Sequence, residues 1–183
     1  MLLAFALSWL LRLLIPFVTA PSPNPTPDDT VAWQSKRLTW GDFKGRVDQR
    51  YMTSVAMTSS SINVYYHGYE SNPHIDVTCT FYRRSSWVKD EGRNRTVLQH
   101  EQLHFDITEL FARKLRQDLA ALPKSQRNWE TVQRLYNEAN DDCADYQARY
   151  DNATHHSILQ DAQRDWTVRV AQELTKFEAY ASR

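Results

Sequence analysis

The chain has 183 residues, 42% of them hydrophobic, with 22 acidic and 22 basic side chains and a formal net charge of zero. That length supports one domain with a real core and is short for two. A balanced charge without a basic stripe excludes the electrostatic footprint of a nucleic-acid binder, so no nucleic-acid partner is expected. The basic group Arg113–Lys114–Arg116 sits at helical spacing and reads as a solvated face.

Residues 1–20, MLLAFALSWLLRLLIPFVTA, are apolar apart from Ser8, Arg12 and Thr19, and the PSPNPTPDD tract that follows cannot continue a helix. The pattern is that of a secretory signal or an N-terminal membrane anchor. Val18, Thr19 and Ala20 suit signal-peptidase cleavage, although no basic segment precedes the apolar run and Pro21 would follow the cut. Arg12 near the middle of a spanning helix carries a cost, which favours export with cleavage over an uncleaved anchor. Residues 21–32 then form a proline-rich linker and residues 33–183 one domain. The expected location is the periplasm or the medium, with membrane association through the N-terminus as the alternative.

The segment Arg37–Lys44, RLTWGDFK, mixes aromatics with a Gly-Asp turn and predicts an irregular arm packed on the domain. Two stretches of period-two alternation follow. Ile62, Val64 and Tyr66 share one face of the first; Ile75, Val77, Cys79 and Phe81 share one face of the second. The turn residues between them predict an antiparallel pair, with Ser85–Val88 as a third strand or an edge. After Gly92 the period becomes helical through Val97, His100, His104, Ile107, Phe111 and Leu115, until Pro123 ends it. A second helix is expected from about Ser125 to Tyr150, with Trp129, Val132, Tyr136, Ala139, Cys143 and Tyr146 inward. Beyond the turn residues DNATHHS, a third carries Leu159, Ala162, Trp166, Val170, Leu174 and Phe177. Strands first and helices afterwards indicate an α+β fold, a small antiparallel sheet packed on about three helices.

Cys79 and Cys143 show no CxxC pairing, which excludes the common cysteine zinc clusters. In an exported protein they can form one disulfide, closing a long loop and contributing about 3–4 kcal/mol in the chain-entropy model. Two free buried thiols are the alternative.

Within the first helix, His100, Glu101 and His104 match H-E-x-x-H. Positions four apart on a helix lie about 40° apart and one turn along the axis, so both imidazoles can meet one ion. Glu101 lies about 100° round from His100, suited to take a proton from a water held on the metal rather than to ligate. Zn²⁺ gives that arrangement its purpose by making the water acidic. The alternative is an amphipathic helix whose histidines are core residues. One helix face supplies only two ligands, so a third must come from elsewhere. Glu109 and Asp106 point away from His104. His67, His74, His155, His156, Glu130 and Glu138 remain open, and the interhelical turn at Tyr150–His156 also offers Asp151 to orient a ligand imidazole.

LTWGDF at Leu38–Phe43, SWV at Ser86–Val88, HEQLHFDI at His100–Ile107 and YDNATHHS at Tyr150–Ser157 occur in this order. Together they resemble the DUF922 family, bacterial proteins described as predicted secreted zinc-dependent proteases. The resemblance covers the chain from about residue 37 onward and implies a zincin-like active-site helix. Its last motif implies His156 as the third metal ligand and makes Tyr150, Asp151 and Thr154 notable. Leu103 and Ser157 stand where the family pattern has glycine, and the second glycine suits a positive φ. The expectation is an exported zinc metallopeptidase acting on a peptide or protein substrate. His100, His104 and His156 would bind Zn²⁺, with Glu101 as general base, Asp151 orienting a ligand and Tyr150 bonding the developing oxyanion. An extended substrate would pair with the strand edge near Ser86–Trp87. A non-catalytic zinc-binding envelope protein and a metal-free helical interaction module are the alternatives.

Overall fold

The helical period that begins after Gly92 becomes α1, Arg95–Ala121, and in the computed structural model the sheet and the other two helices pack against it. Residues 27–33, 37–51, 53–67 and 73–182 are described. The apolar segment 1–20 and the first part of the expected linker lie outside them. Asn94 caps α1, its side chain accepting from Val97 N at 3.0 Å and satisfying one of the orphan amides of the first turn. Just before it, a Cβ on Gly92 would stand 2.7 Å from the Val55 carbonyl oxygen, so only glycine permits that backbone approach. At the other end Leu122 is extended, as a residue preceding proline must be, and the helix stops. The chain reverses into α2, Trp129–Thr154, capped by Asn128 on Thr131 N at 2.9 Å, and ends with α3, Gln160–Lys176.

Among the described residues five strands complete the fold: β1 (Thr30–Ala32), β2 (Ala56–Met57), β3 (Ser60–His67), β4 (His74–Tyr82) and β5 (Trp87–Val88). The main sheet is antiparallel in the order β1-β4-β3, and β2 pairs with β5 in a separate ladder. The register sets Ile62 opposite Cys79, Val64 opposite Val77 and Tyr66 opposite Ile75. The two apolar faces expected from the alternation therefore coincide. They press on α1, where Phe105 lies against Phe81 with ring centroids 5.6 Å apart. Burying such side chains contributes about 1.5–3 kcal/mol each. The α+β expectation holds, a small antiparallel sheet on three helices.

The segment Arg37–Lys44 is irregular, as expected, and closes over the sheet through Phe43 on Phe81. Backbone N–H of Leu38 donates to Gln102 Oε1 at 2.7 Å. Asp106 accepts from Trp33 Nε1, Gln102 Nε2 and Arg37, which ties the arm to the back of α1.

Three details correct the sequence expectation. Trp87–Val88 joins β2 rather than the main sheet, whose third strand is β1, and Ser86 and Trp87 are buried rather than forming an open edge. Cys79 and Cys143 are free buried thiols, not a disulfide. The Cys79 thiol faces the Phe105 carbonyl from the sheet, while the Cys143 thiol faces Gln147 from α2, so each is engaged separately with its own surroundings. Finally, Arg113 is not solvated: its side chain is 2% exposed and ion-paired at 3.0 Å with a fully buried Glu109. Arg113 also donates to the Leu174 carbonyl, and Arg116 to Glu109 and the Tyr180 carbonyl. Because the middle of α1 is covered by its neighbours, these cations neutralise a buried acid and bond carbonyls at and just beyond the end of α3. Replacing Glu109 by leucine takes the buried counter-charge from two guanidinium groups and should cost about 3–5 kcal/mol in chemical denaturation. A loss below about 1 kcal/mol would contradict this role.

Candidate metal centre

Because α2 runs back along α1, its last turn lies beside the first turns of α1. The H-E-x-x-H histidines project from α1 toward that junction, and their Nε2 atoms stand 3.1 Å apart. Asp151, from the end of α2, places Oδ1 3.1 Å from Nε2 of His100 and 3.0 Å from Nε2 of His104. Ligand atoms around a tetrahedral ion at about 2.0 Å stand roughly 3.3 Å from one another, close to this triangle. These three side chains form a group that could hold a metal ion. Two further features favour a cation there. Asp151 Oδ1 is buried with only the two imidazole nitrogens against it, and Glu101 Oε2 is buried with no hydrogen-bond partner among the described residues. Buried carboxylate oxygens in that condition are costly unless positive charge compensates them.

The walls of the centre are built from all three helices. Tyr150 is fully buried, its ring stacked on His100 at 4.6 Å and meeting His104 edge-on at 5.0 Å. Its hydroxyl donates to Gln163 Oε1 at 2.8 Å, and burial pushes its pKa far up, so it remains a neutral phenol. That placement puts the Tyr150 ring against the two imidazoles and its hydroxyl against Gln163 and the His100 carbonyl oxygen. Gln163, from α3, also reaches Nδ1 of His100 at 3.1 Å, and Gln147 of α2 bonds Nδ1 of His104. Glu101 is buried, and its backbone carbonyl is tied to Thr58 Oγ1 at 3.0 Å in the loop before β3.

The third position expected for His156 is held by Asp151. His156 lies at the solvent side, 72% exposed, with Nδ1 3.6 Å from Asp151 Oδ1. The reason is backbone shape: His155, His156 and Ser157 are successively left-handed at φ 45°, 52° and 76°, which turns the histidines outward. Ser157 does occupy a positive φ, the conformation for which glycine suits that place. Other candidates sit elsewhere. His67 and His74 face each other across the β3–β4 pair, and Glu138 pairs with Arg134. Asp106 and Glu109 are engaged by the arm and by arginines.

Burial works to lower the proton affinity of His104, but Asp151 and Glu101 beside it outweigh that and raise its pKa above the ordinary 6.5. For Asp151 burial works upward, while the two imidazoles hold the carboxyl well below the usual carboxylate range. Without metal, a proton on His104 and the charge on Asp151 therefore favour each other.

The family model described as "Bacterial protein of unknown function (DUF922)" matches residues 22–157, about three quarters of the chain. The chain belongs to the DUF922 family. The matched span contains His100, Glu101, His104, Tyr150, Asp151 and His156, whereas α3 with Gln163 lies beyond it. No curated protein and no solved structure matches this DUF922 protein.

Gln147 and Gln163 escape the sequence reading, although each leaves a trace. Gln147 extends the inner stripe of α2 by four residues from Cys143. Gln163 is a polar residue set between Leu159 and Trp166 on the stripe of α3.

The pKa shifts fix how stability depends on pH. Without metal, the His104 contribution is complete below 6.5 and fades as pH rises through its elevated folded value. The Asp151 contribution is present above 3.8 and fades only as pH falls through its depressed folded value. Both act together between those limits. Bound metal reverses the trend at the upper end, because the proton on His104 must leave first. Thermal melts should therefore show chelated protein losing stability from about pH 6 to about pH 8 and metal-loaded protein gaining it. Parallel slopes in both forms, or the same slope in Asp151→Asn, would remove the coupling.

Proposed function

We propose that this DUF922 protein is an exported zinc-dependent peptidase. The observation that carries the reading is the convergence of two imidazoles and one carboxylate beside a buried, unpartnered glutamate oxygen. Two nitrogen donors and one oxygen donor suit zinc, and three protein ligands are the number that catalytic zinc sites use. When bound, Zn²⁺ supplies Lewis acidity, polarising a carbonyl and bringing the pKa of a coordinated water to about 7.

The chain's own residues do the rest. His100, His104 and Asp151 would hold the ion, and two packed helices fix their positions. Glu101 is the general base: its carboxylate takes a proton as the water oxygen bonds to the peptide carbonyl carbon. The same proton then passes to the amide nitrogen as the C–N bond breaks, so the carboxylate is restored. Tyr150 and the surrounding apolar core exclude bulk water from the inner face of the site. The apolar first twenty residues and the proline-rich tract after them support export, with a peptide or protein as substrate. Among the described residues no helix is long and apolar enough to cross a membrane.

His156 favours one other reading. From 3.6 Å off Asp151 Oδ1, a change of rotamer would let it close the site as a fourth ligand, giving a non-catalytic zinc-binding envelope protein. The two readings part on mutation. In the peptidase, Glu101→Gln retains one zinc per chain but lowers hydrolysis of a broad peptide mixture by about 10²–10⁴-fold. His156→Ala leaves the zinc content unchanged. Undiminished hydrolysis by Glu101→Gln would remove the general base. Loss of zinc from His156→Ala, with no hydrolysis by the wild type, would establish the closed site instead.

A further inference from the structure

The hydrogen bonds behind the two rings have directions, and those directions decide which ring nitrogen carries the proton. Thr108 Oγ1 lies 3.1 Å from the His104 carbonyl oxygen, an atom that can only accept, so the threonine proton goes there. Thr108 can then only accept from its other neighbours, Gln147 Nε2 at 3.2 Å and Ser60 Oγ at 2.7 Å. Gln147 Nε2 is also 3.3 Å from the His104 carbonyl oxygen. With its nitrogen among acceptors, the Gln147 amide must turn its oxygen toward His104 Nδ1, which bonds it only as N–H. At His100 the Tyr150 hydroxyl lies 2.8 Å from Gln163 Oε1 and 3.3 Å from the His100 carbonyl oxygen; its one proton takes the shorter contact, and the same Gln163 oxygen faces His100 Nδ1 at 3.1 Å and receives its N–H. Gln163 Nε2 is buried without a partner, so the position uses only the carbonyl half of its amide.

We infer that Gln147 and Gln163 are positioning residues that lock both imidazoles as Nδ1–H tautomers, aiming each Nε2 lone pair at the point shared with Asp151. The inference rests on the zinc reading above and deepens it, because it makes α3 part of the centre although α3 lies outside the span matched by the family model. Neutral amides orient the rings without adding negative charge beside the ion, unlike the carboxylates that often serve this purpose.

The test is zinc affinity, by competition with a chromophoric chelator, together with the visible spectrum of the cobalt(II) form. It compares wild type with Gln147→Met, Gln163→Met, Gln147→Glu and Gln163→Glu. Methionine keeps the volume but removes the acceptor; glutamate keeps the acceptor. The methionine variants should bind zinc about 10–100-fold more weakly and change the cobalt bands, while the glutamate variants bind at least as tightly as wild type. Methionine variants within about threefold of wild type, or glutamate variants as weak as their methionine counterparts, would overturn the inference and leave the zinc reading standing. Should a methionine variant lose its helical circular dichroism, the glutamate variant at that position decides, since a merely structural amide has no reason to be replaced by a buried carboxylate without loss. A wild type that takes up no zinc would instead overturn the zinc reading itself.

Discussion

Three electron pairs, two on imidazole nitrogens and one on a carboxylate oxygen, meet within 3.1 Å of one another. Such a cluster repels itself unless a cation sits among its members, and the protein must supply either a proton or a metal ion. The rest of the architecture follows from holding that cluster together. Two histidines one helical turn apart require α1 to be helical at His100–His104. The carboxylate requires α2 to return antiparallel and end beside them. The amide behind His100 requires α3 to cross the same junction.

A helix that carries such a cluster near one end and is covered by its neighbours through its middle, from His100 to Gln117, meets a second difficulty. α1 buries Glu109, Arg113, Asp106 and Gln102 as well as His100 and Glu101. None of these is left to solvent. Asp106 and Gln102 bind Trp33, Arg37 and Leu38, and Glu109 is matched by two arginines that also bond carbonyls near the end of α3. The polar faces of the helix thus become its attachments to the N-terminal arm and to the C-terminal turn. The apolar face takes the sheet.

Much of this was legible in the sequence, because periodicity and local chemistry are written along the chain. The alternation of Ile62, Val64 and Tyr66 against Ile75, Val77 and Cys79 appears intact in the register of β3 and β4. The stripe from Val97 to Leu115 becomes α1, and Pro123 ends it. H-E-x-x-H identified the two ring nitrogens because their convergence depends only on helix geometry. What the sequence could not carry were facts of long-range packing. Arg113 sits at a spacing that suits a solvated face, and only the docking of α3 buries it. Asp151 and His156 are five residues apart, the first in the last turn of α2 and the second beyond its end, and the left-handed run at His155–Ser157 decides which of them points inward. Gln147 and Gln163 are ordinary glutamines until folding brings them behind the histidines. The cysteines, too, are compatible with a disulfide in sequence, and only the placement of each thiol shows that they are separate.

The most direct test of the central claim is X-ray absorption at the zinc edge of the protein purified without chelators. The account predicts one zinc per chain in a shell of nitrogen and oxygen at about 2.0–2.1 Å, with the outer-shell scattering of two imidazoles. No zinc, a shell containing sulfur at about 2.3 Å, or a single imidazole would contradict it.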